Sequence, residues 1–248
     1  MVGASHGYRP CVPTVAEIAE RIAAVRARVA AAAEAAGRSP SDVRLLLATK
    51  TLPDDVVRAA VLAGAALIGE NRVQELVAHT AAVADLRPEV HLIGHLQSNK
   101  VTTVLHPDRP LVACVESVDT LPLAERLSRR CADLGRDLEV MVQVNVSGEA
   151  TKSGIAPDGA AELAARVAAL PRLRLTGFMT IGLNSPDAAA VRAGYARLRQ
   201  VRDAVVRDLP GARELSMGMS GDLELAVAEG ATTVRVGTAV FGARPAPA

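Results

Sequence analysis

The chain has 248 residues, half of them apolar, a formal net charge of +1, no Trp, two Tyr and two Phe. This length suits one (β/α)8 barrel of about 250 residues, with a core of Ala, Val and Leu, and the near-neutral charge gives no ground for nucleic acid or an anionic membrane as a partner. The cysteines Cys11, Cys114 and Cys131 are scattered and form neither a metal set nor a disulfide framework, and no stretch approaches the ~20 apolar residues of a membrane span, so a cytoplasmic protein is expected.

Residues 1–13 read as a flexible leader. Residues 14–37 then read as a long amphipathic helix, with Thr14 as N-cap, Glu17 three residues on and Gly37 as the stop. From there β-branched or Leu-rich runs alternate with Ala/Arg/Glu-rich stretches. Strands are expected near 43–49, 65–69, 90–94, 111–115, 138–146, 173–178, 213–217 and 232–236. Helices are expected near 53–63, 71–84, 97–105, 120–134, 157–169, 187–208, 222–229 and 238–241. Runs such as VRLLLA and LEVMVQV suit strands buried on both faces, as in a parallel sheet. An open doubly wound sheet would give the same local pattern; the eightfold count favours closure. The expected fold is α/β: a single (β/α)8 TIM-type barrel over 14–244, with an extra N-terminal helix and a Pro-rich tail at 245–248.

In such a barrel the chemistry sits at the C-terminal ends of the strands. Strand 1 ends LLLATKTLP and puts Lys50 at the mouth; Lys50, Lys100 and Lys152 are the only lysines among 28 basic residues. A Lys partly desolvated there would be nucleophilic, whereas Lys100 and Lys152 read as solvated surface residues. Strand 2 runs into Glu70, Asn71 and Arg72, with Asn71 also able to cap the next helix. Strand 3 leads through a Gly to His95, while His91 at its other end reads as a structural histidine. Strands 4 to 6 offer Glu116 and Ser117, then Asn145, then Met179 and Thr180.

Near the C-terminus, LSMGMSGDLELAVAEGATTVRVGTAVFG holds two adjacent small-residue loops. One follows Ser216 with Gly218, Ser220 and Gly221; the other carries Gly237 and Thr238. Both present backbone N–H groups to an anion, at the position after strands 7 and 8 where barrels frequently hold phosphate. Arg235 lies inside an apolar strand and needs an acceptor, which a ligand could supply. A Lys on one side of the mouth and a phosphate cradle on the other point to a phosphorylated carbonyl compound held as an imine. Pyridoxal 5′-phosphate (PLP) and the sugar-phosphate substrate of a Schiff-base aldolase both satisfy that description.

LLLATKTLP, IGENRVQEL, HLIGHLQSNK, NVSGEATKSGI, LTGFMTIG and the segment from Leu215 to Gly242 follow one another in the order seen in the pyridoxal phosphate homeostasis proteins. The chain resembles that family, itself similar to the N-terminal barrel of alanine racemases, over roughly residues 14–244. The resemblance implies PLP bound covalently to Lys50. It implies the phosphate on Ser216, on the Gly237 and Thr238 backbone and on the Thr238 hydroxyl. It further implies Asn71 near the ring and Arg235 facing the pyridine nitrogen; His95 and Met179 complete the expected cofactor set. The second, β-rich domain of the racemases has no counterpart in the sequence. The two tyrosines, Tyr8 and Tyr195, lie in the leader and in a distant helix, so no second acid/base faces Lys50. The expectation is a monomeric PLP carrier serving PLP-dependent apoenzymes; the alternative is a PLP-dependent, racemase-like enzyme.

Overall fold

The computed structural model describes residues 13–108, 111–149 and 152–242. The 245–248 tail, Tyr8, Cys11 and all of the leader but Pro13 lie outside the described residues. Eight parallel strands close into a barrel in sequence order. The elements run α1 (Val15–Ala35), β1 (Arg44–Ala48), α2 (Asp54–Leu62), β2 (Leu67–Glu70), α3 (Val73–Ala82), β3 (Glu89–Leu92), α4 (Val101–Val104) and β4 (Cys114–Val118). The chain continues through α5 (Leu121–Asp133), β5 (Leu138–Gln143), α6 (Pro157–Ala168), β6 (Leu173–Met179) and α7 (Ala188–Val205). It closes with β7 (Glu214–Ser216), α8 (Leu223–Ala228), β8 (Thr233–Val236) and α9 (Thr238–Phe241). Closure is made by β1 against β8, with Leu46 opposite Arg235.

α1 starts where its first turn is satisfied. The Glu17 amide donates to Thr14 Oγ1 at 3.2 Å and the Thr14 amide donates to Glu17 Oε2 at 2.7 Å, a reciprocal box. It ends where Gly37 takes φ +68°, a conformation glycine adopts without a Cβ clash. Its buried stripe, Ile18, Ile22, Val25, Val29 and Ala33, joins the main core. Two arginines of α1 then reach the last turns of the barrel. Arg21 donates to the Val240 carbonyl at 3.0 Å and Arg28 to the Ser220 carbonyl at 3.1 Å. The added helix therefore buttresses the segments that close the barrel mouth. Ile22→Ala is expected to cost about 2–5 kcal/mol and to lower Tm by roughly 5–15 °C in a thermal melt.

Side chains alternate across each strand. Leu47, Val115, Leu215, Val234 and Val236 join the core shared with the helices. Leu46, Leu67 and Ile93 form one separate interior cluster, and Cys114, Met141 and Met179 another. Other interior positions are polar: His91, Glu116, Ser216 and Arg235 are all buried. Barrel interiors are usually filled by branched apolar residues, so a buried polar column here is the feature of this fold most in need of a chemical account.

Several expected boundaries move; strand 5, for one, ends at Gln143 rather than at 146. Strand 4 spans Cys114–Val118 rather than 111–115. Leu111 and Val112 are buried ahead of it, and the strand carries on through Glu116 and Ser117 because both find partners inside the barrel. The expected 97–105 helix is a short 3-10 turn, Ser98–Lys100, followed by the single turn of α4.

Candidate functional site

Lys50 sits two residues beyond the end of β1 in a tight turn, where the Leu52 amide donates to the Thr49 carbonyl at 3.2 Å. Thr51 holds φ +65° within that turn, an unfavourable conformation for a β-branched residue. What holds it is underneath. His79 Nε2 donates to the Leu52 carbonyl at 3.0 Å, and Nδ1 to Glu70 Oε1 at 2.7 Å. Thr49 Oγ1 donates to the same carboxylate oxygen. Burial alone would push the His79 imidazole down, but the Glu70 hydrogen bond and charge outweigh it and raise its pKa. A doubly donating His79 thus fixes the Lys50 turn from below.

Lys50 lines a cavity of about 380 Å3 at the C-terminal ends of the strands, together with Asn71, His95, Arg235, Gly237 and Thr238. Each of these except Arg235 lies one to three residues after a strand end. Gly94 is required by close approach: a Cβ there would lie 2.0 Å from the Asn71 carbonyl oxygen. Ser220 and Gly221 line the same cavity, with Gly237 and Thr238 at the end of β8, the strand that neighbours β1. Ser220 Oγ accepts the Ala239 amide at 3.3 Å, which joins the two small-residue turns. At Gly237 a Cβ would come 3.2 Å from the Ala48 carbonyl oxygen, and at Gly221 it would meet nothing within 4 Å. An amine, hydroxyls, small-residue turns and a guanidinium around one cavity match a small phosphorylated carbonyl compound. The volume is that of a small-ligand pocket.

Residues 6–245 match the family model described as alanine racemase, N-terminal domain. The chain is 49% identical over 228 residues to the pyridoxal phosphate homeostasis protein of Pseudomonas aeruginosa, covering 92% of this chain and 96% of that one. The chain belongs to the pyridoxal phosphate homeostasis protein family. Its relative from Escherichia coli is 43% identical over 235 residues, with 92% and 97% of the two chains covered. Among solved structures, PipY of Synechococcus elongatus with PLP bound superposes with TM-score 0.77 at 36% identity, over 91% of this chain and all of that one. Alanine racemase from Corynebacterium glutamicum shares the fold, with TM-score 0.69 at 14% identity, this chain covering 62% of its length.

Of the residues expected in this family's cofactor set, the cavity brings together Lys50, Asn71, His95, Arg235, Gly237 and Thr238. It does not include Met179, which is buried beside Cys114 and Met141. Nor does it include Ser216, whose fully buried Oγ donates to Glu116 Oε2 at 2.6 Å and accepts from Arg235 Nη1 at 2.8 Å. The serine on the cavity wall is Ser220, four residues on. Glu70, Glu116 and Ser117, expected at the rim, are likewise buried, each within a strand. The helix cap after Asn71 is Arg72, which leaves Asn71 to the cavity. His95 stands exposed at the rim, its Nδ1 3.9 Å from Asp119 Oδ2. Tyr195 is buried, its hydroxyl donating to Asp222 at 2.8 Å. Lys152 is not the solvated residue expected: its amine donates to Glu149 at 2.8 Å and to the Gly182 carbonyl at 3.1 Å. Among the described residues no His/Cys/Asp/Glu cluster suits a metal ion, and no helix is long and apolar enough to cross a membrane.

Proposed function

We propose that this chain binds PLP in the barrel-mouth cavity, as a Schiff base on Lys50, and works in PLP homeostasis by buffering the cofactor and delivering it to apoenzymes. The observation that carries this reading is the meeting of Lys50 with two small-residue turns in one cavity of about 380 Å3. The family and the PLP-bound relative support it. The cofactor supplies an aldehyde that exchanges reversibly with amines. The residues of the chain do the rest. Ser220, Gly221, Gly237 and Thr238 take the phosphate, with Ser220 in the role first expected of Ser216. Asn71 lies beside the ring and Arg235 faces its nitrogen. An Arg cannot readily give up a proton, so the ring nitrogen stays unprotonated and the electron sink that PLP enzymes use is weak. This favours holding and release over catalysis, and an effect on amino-acid and keto-acid metabolism through the supply of cofactor.

Titration of the purified protein with PLP should develop a visible band, and pyridoxal, which lacks the phosphate, should bind about 100-fold more weakly or worse, a loss of ~3 kcal/mol. Equal affinity for the two would remove the phosphate turns from the account. His95 is the imidazole at the rim, so inversion of an amino acid's stereochemistry at about 10 s⁻¹, abolished by His95→Ala, would replace the carrier reading with a racemase-like enzyme.

A further inference from the structure

Arg235 ends a chain of hydrogen bonds that runs through the barrel interior. Its Nη1 donates to Ser216 Oγ at 2.8 Å and its Nη2 to the Thr180 carbonyl at 2.6 Å. A guanidinium only donates, so the Ser216 hydroxyl must pass its own proton on, to Glu116 Oε2 at 2.6 Å. The other oxygen, Glu116 Oε1, is 2.6 Å from His91 Nδ1, and His91 Nε2 is 2.8 Å from Glu89 Oε1. Glu89 Oε2 accepts from Arg44 at 2.6 Å. With a carboxylate on each side, His91 carries both ring protons, and every proton in the chain has one direction.

The far end of the chain opens on a different surface. His91 and Arg44 line a cavity of about 390 Å3 with Glu139, Arg174, Glu214 and Thr233, residues at the N-terminal ends of their strands. The chain thus links the bottom of the barrel to the guanidinium in the mouth. A polar cluster that served stability alone would have no need to end on a ligand-lining group.

We infer that Glu116 and His91 are positioning residues for the bound cofactor, acting through Ser216 to fix Arg235 and to set the charge its ring experiences. This rests on the reading of the cavity as a PLP site. Other charged or titratable groups face the same column. Asp222 and Tyr195 lie near Arg235, Glu139 and Glu89 lie near the Cys114 end, and Lys50 and His95 share the mouth. Within the column, Glu116 and His91 form a neutral pair whose halves can be removed separately.

The test compares the PLP-loaded wild type with Glu116→Gln, His91→Gln and the double variant, following the visible band against pH. Glu116→Gln removes the negative charge nearest Arg235, so the midpoint should fall by about one pH unit. His91→Gln leaves that charge uncompensated, so the midpoint should rise by a similar amount. The double variant should return towards wild type. Opposite signs are what a merely loosened core does not give; shifts of one sign, or none, would overturn the inference. Nitrogen NMR of the ligand-free wild type needs no substitution: both ring nitrogens of His91 should stay protonated at pH 8, and a neutral ring there contradicts the chain. If the wild type develops no band with PLP, the cavity reading fails and this inference with it, while the nitrogen spectra still report separately on the chain.

Discussion

Lys50→Ala should abolish the visible band and weaken PLP retention about 100-fold or more, at ~1.4 kcal/mol per tenfold, while the protein stays folded. The side chain lies on a half-buried turn outside the strands and helices, so its truncation should leave the barrel in place. Lys50→Arg separates charge from chemistry: a guanidinium keeps the cation but does not form an imine at neutral pH. Both variants should elute colourless from gel filtration after loading, where the wild type elutes yellow. Residual phosphate-dependent binding is expected in both, because Ser220, Gly221, Gly237 and Thr238 are untouched. A wild-type spectrum in Lys50→Ala would move the anchor to Lys100 or Lys152.

His91 gives the second large effect, on stability. Burial opposes its charge, yet the carboxylates of Glu116 and Glu89 outweigh burial and hold the imidazole at about 9, above its ordinary 6.5. A folded-state value above the unfolded one means that the protonated ring stabilises the fold. The contribution is complete below pH 6.5 and is lost as pH rises through 9, a change of about 3 kcal/mol. His79 shifts in the same direction, held by Glu70, and adds to the same slope. On the acid side the hydrogen bond from His91, with that from Arg44, holds Glu89 at about 2, so its stabilisation is lost only as pH falls towards that value. Urea unfolding should show the midpoint falling between pH 6.5 and 9 in the wild type. His91→Gln should start lower at pH 6 and lose most of that slope. A slope of equal size in both proteins would contradict the assignment.

Much of the architecture was legible because parallel strands buried on both faces leave continuous apolar runs, and because Thr14, Glu17 and Gly37 bound α1 by local chemistry alone. Lys50, Asn71, His95, Gly237 and Thr238 were legible for a related reason: in a barrel, the residues just past a strand end face the mouth. What the sequence hides is the partner of each inward polar residue. Residues 91, 116, 216 and 235 come from four strands, and only the closed register brings them together. Without those partners a glutamate and a serine after CV look like the end of a strand, which is why β4 was expected three residues early. The two serines of SMGMS show the same limit. Ser216 is the last residue of β7 and turns inward to Glu116, whereas Ser220 lies in the loop beside Thr238. Composition cannot tell which of them lines the cavity; geometry does.

The central claim is the anchor. Wild-type protein loaded with PLP, reduced with borohydride and digested should carry the cofactor mass on the peptide holding Lys50, in near-stoichiometric amount. Label on the peptides of Lys100 or Lys152 instead, or no label from a solution that turned yellow, would contradict the account.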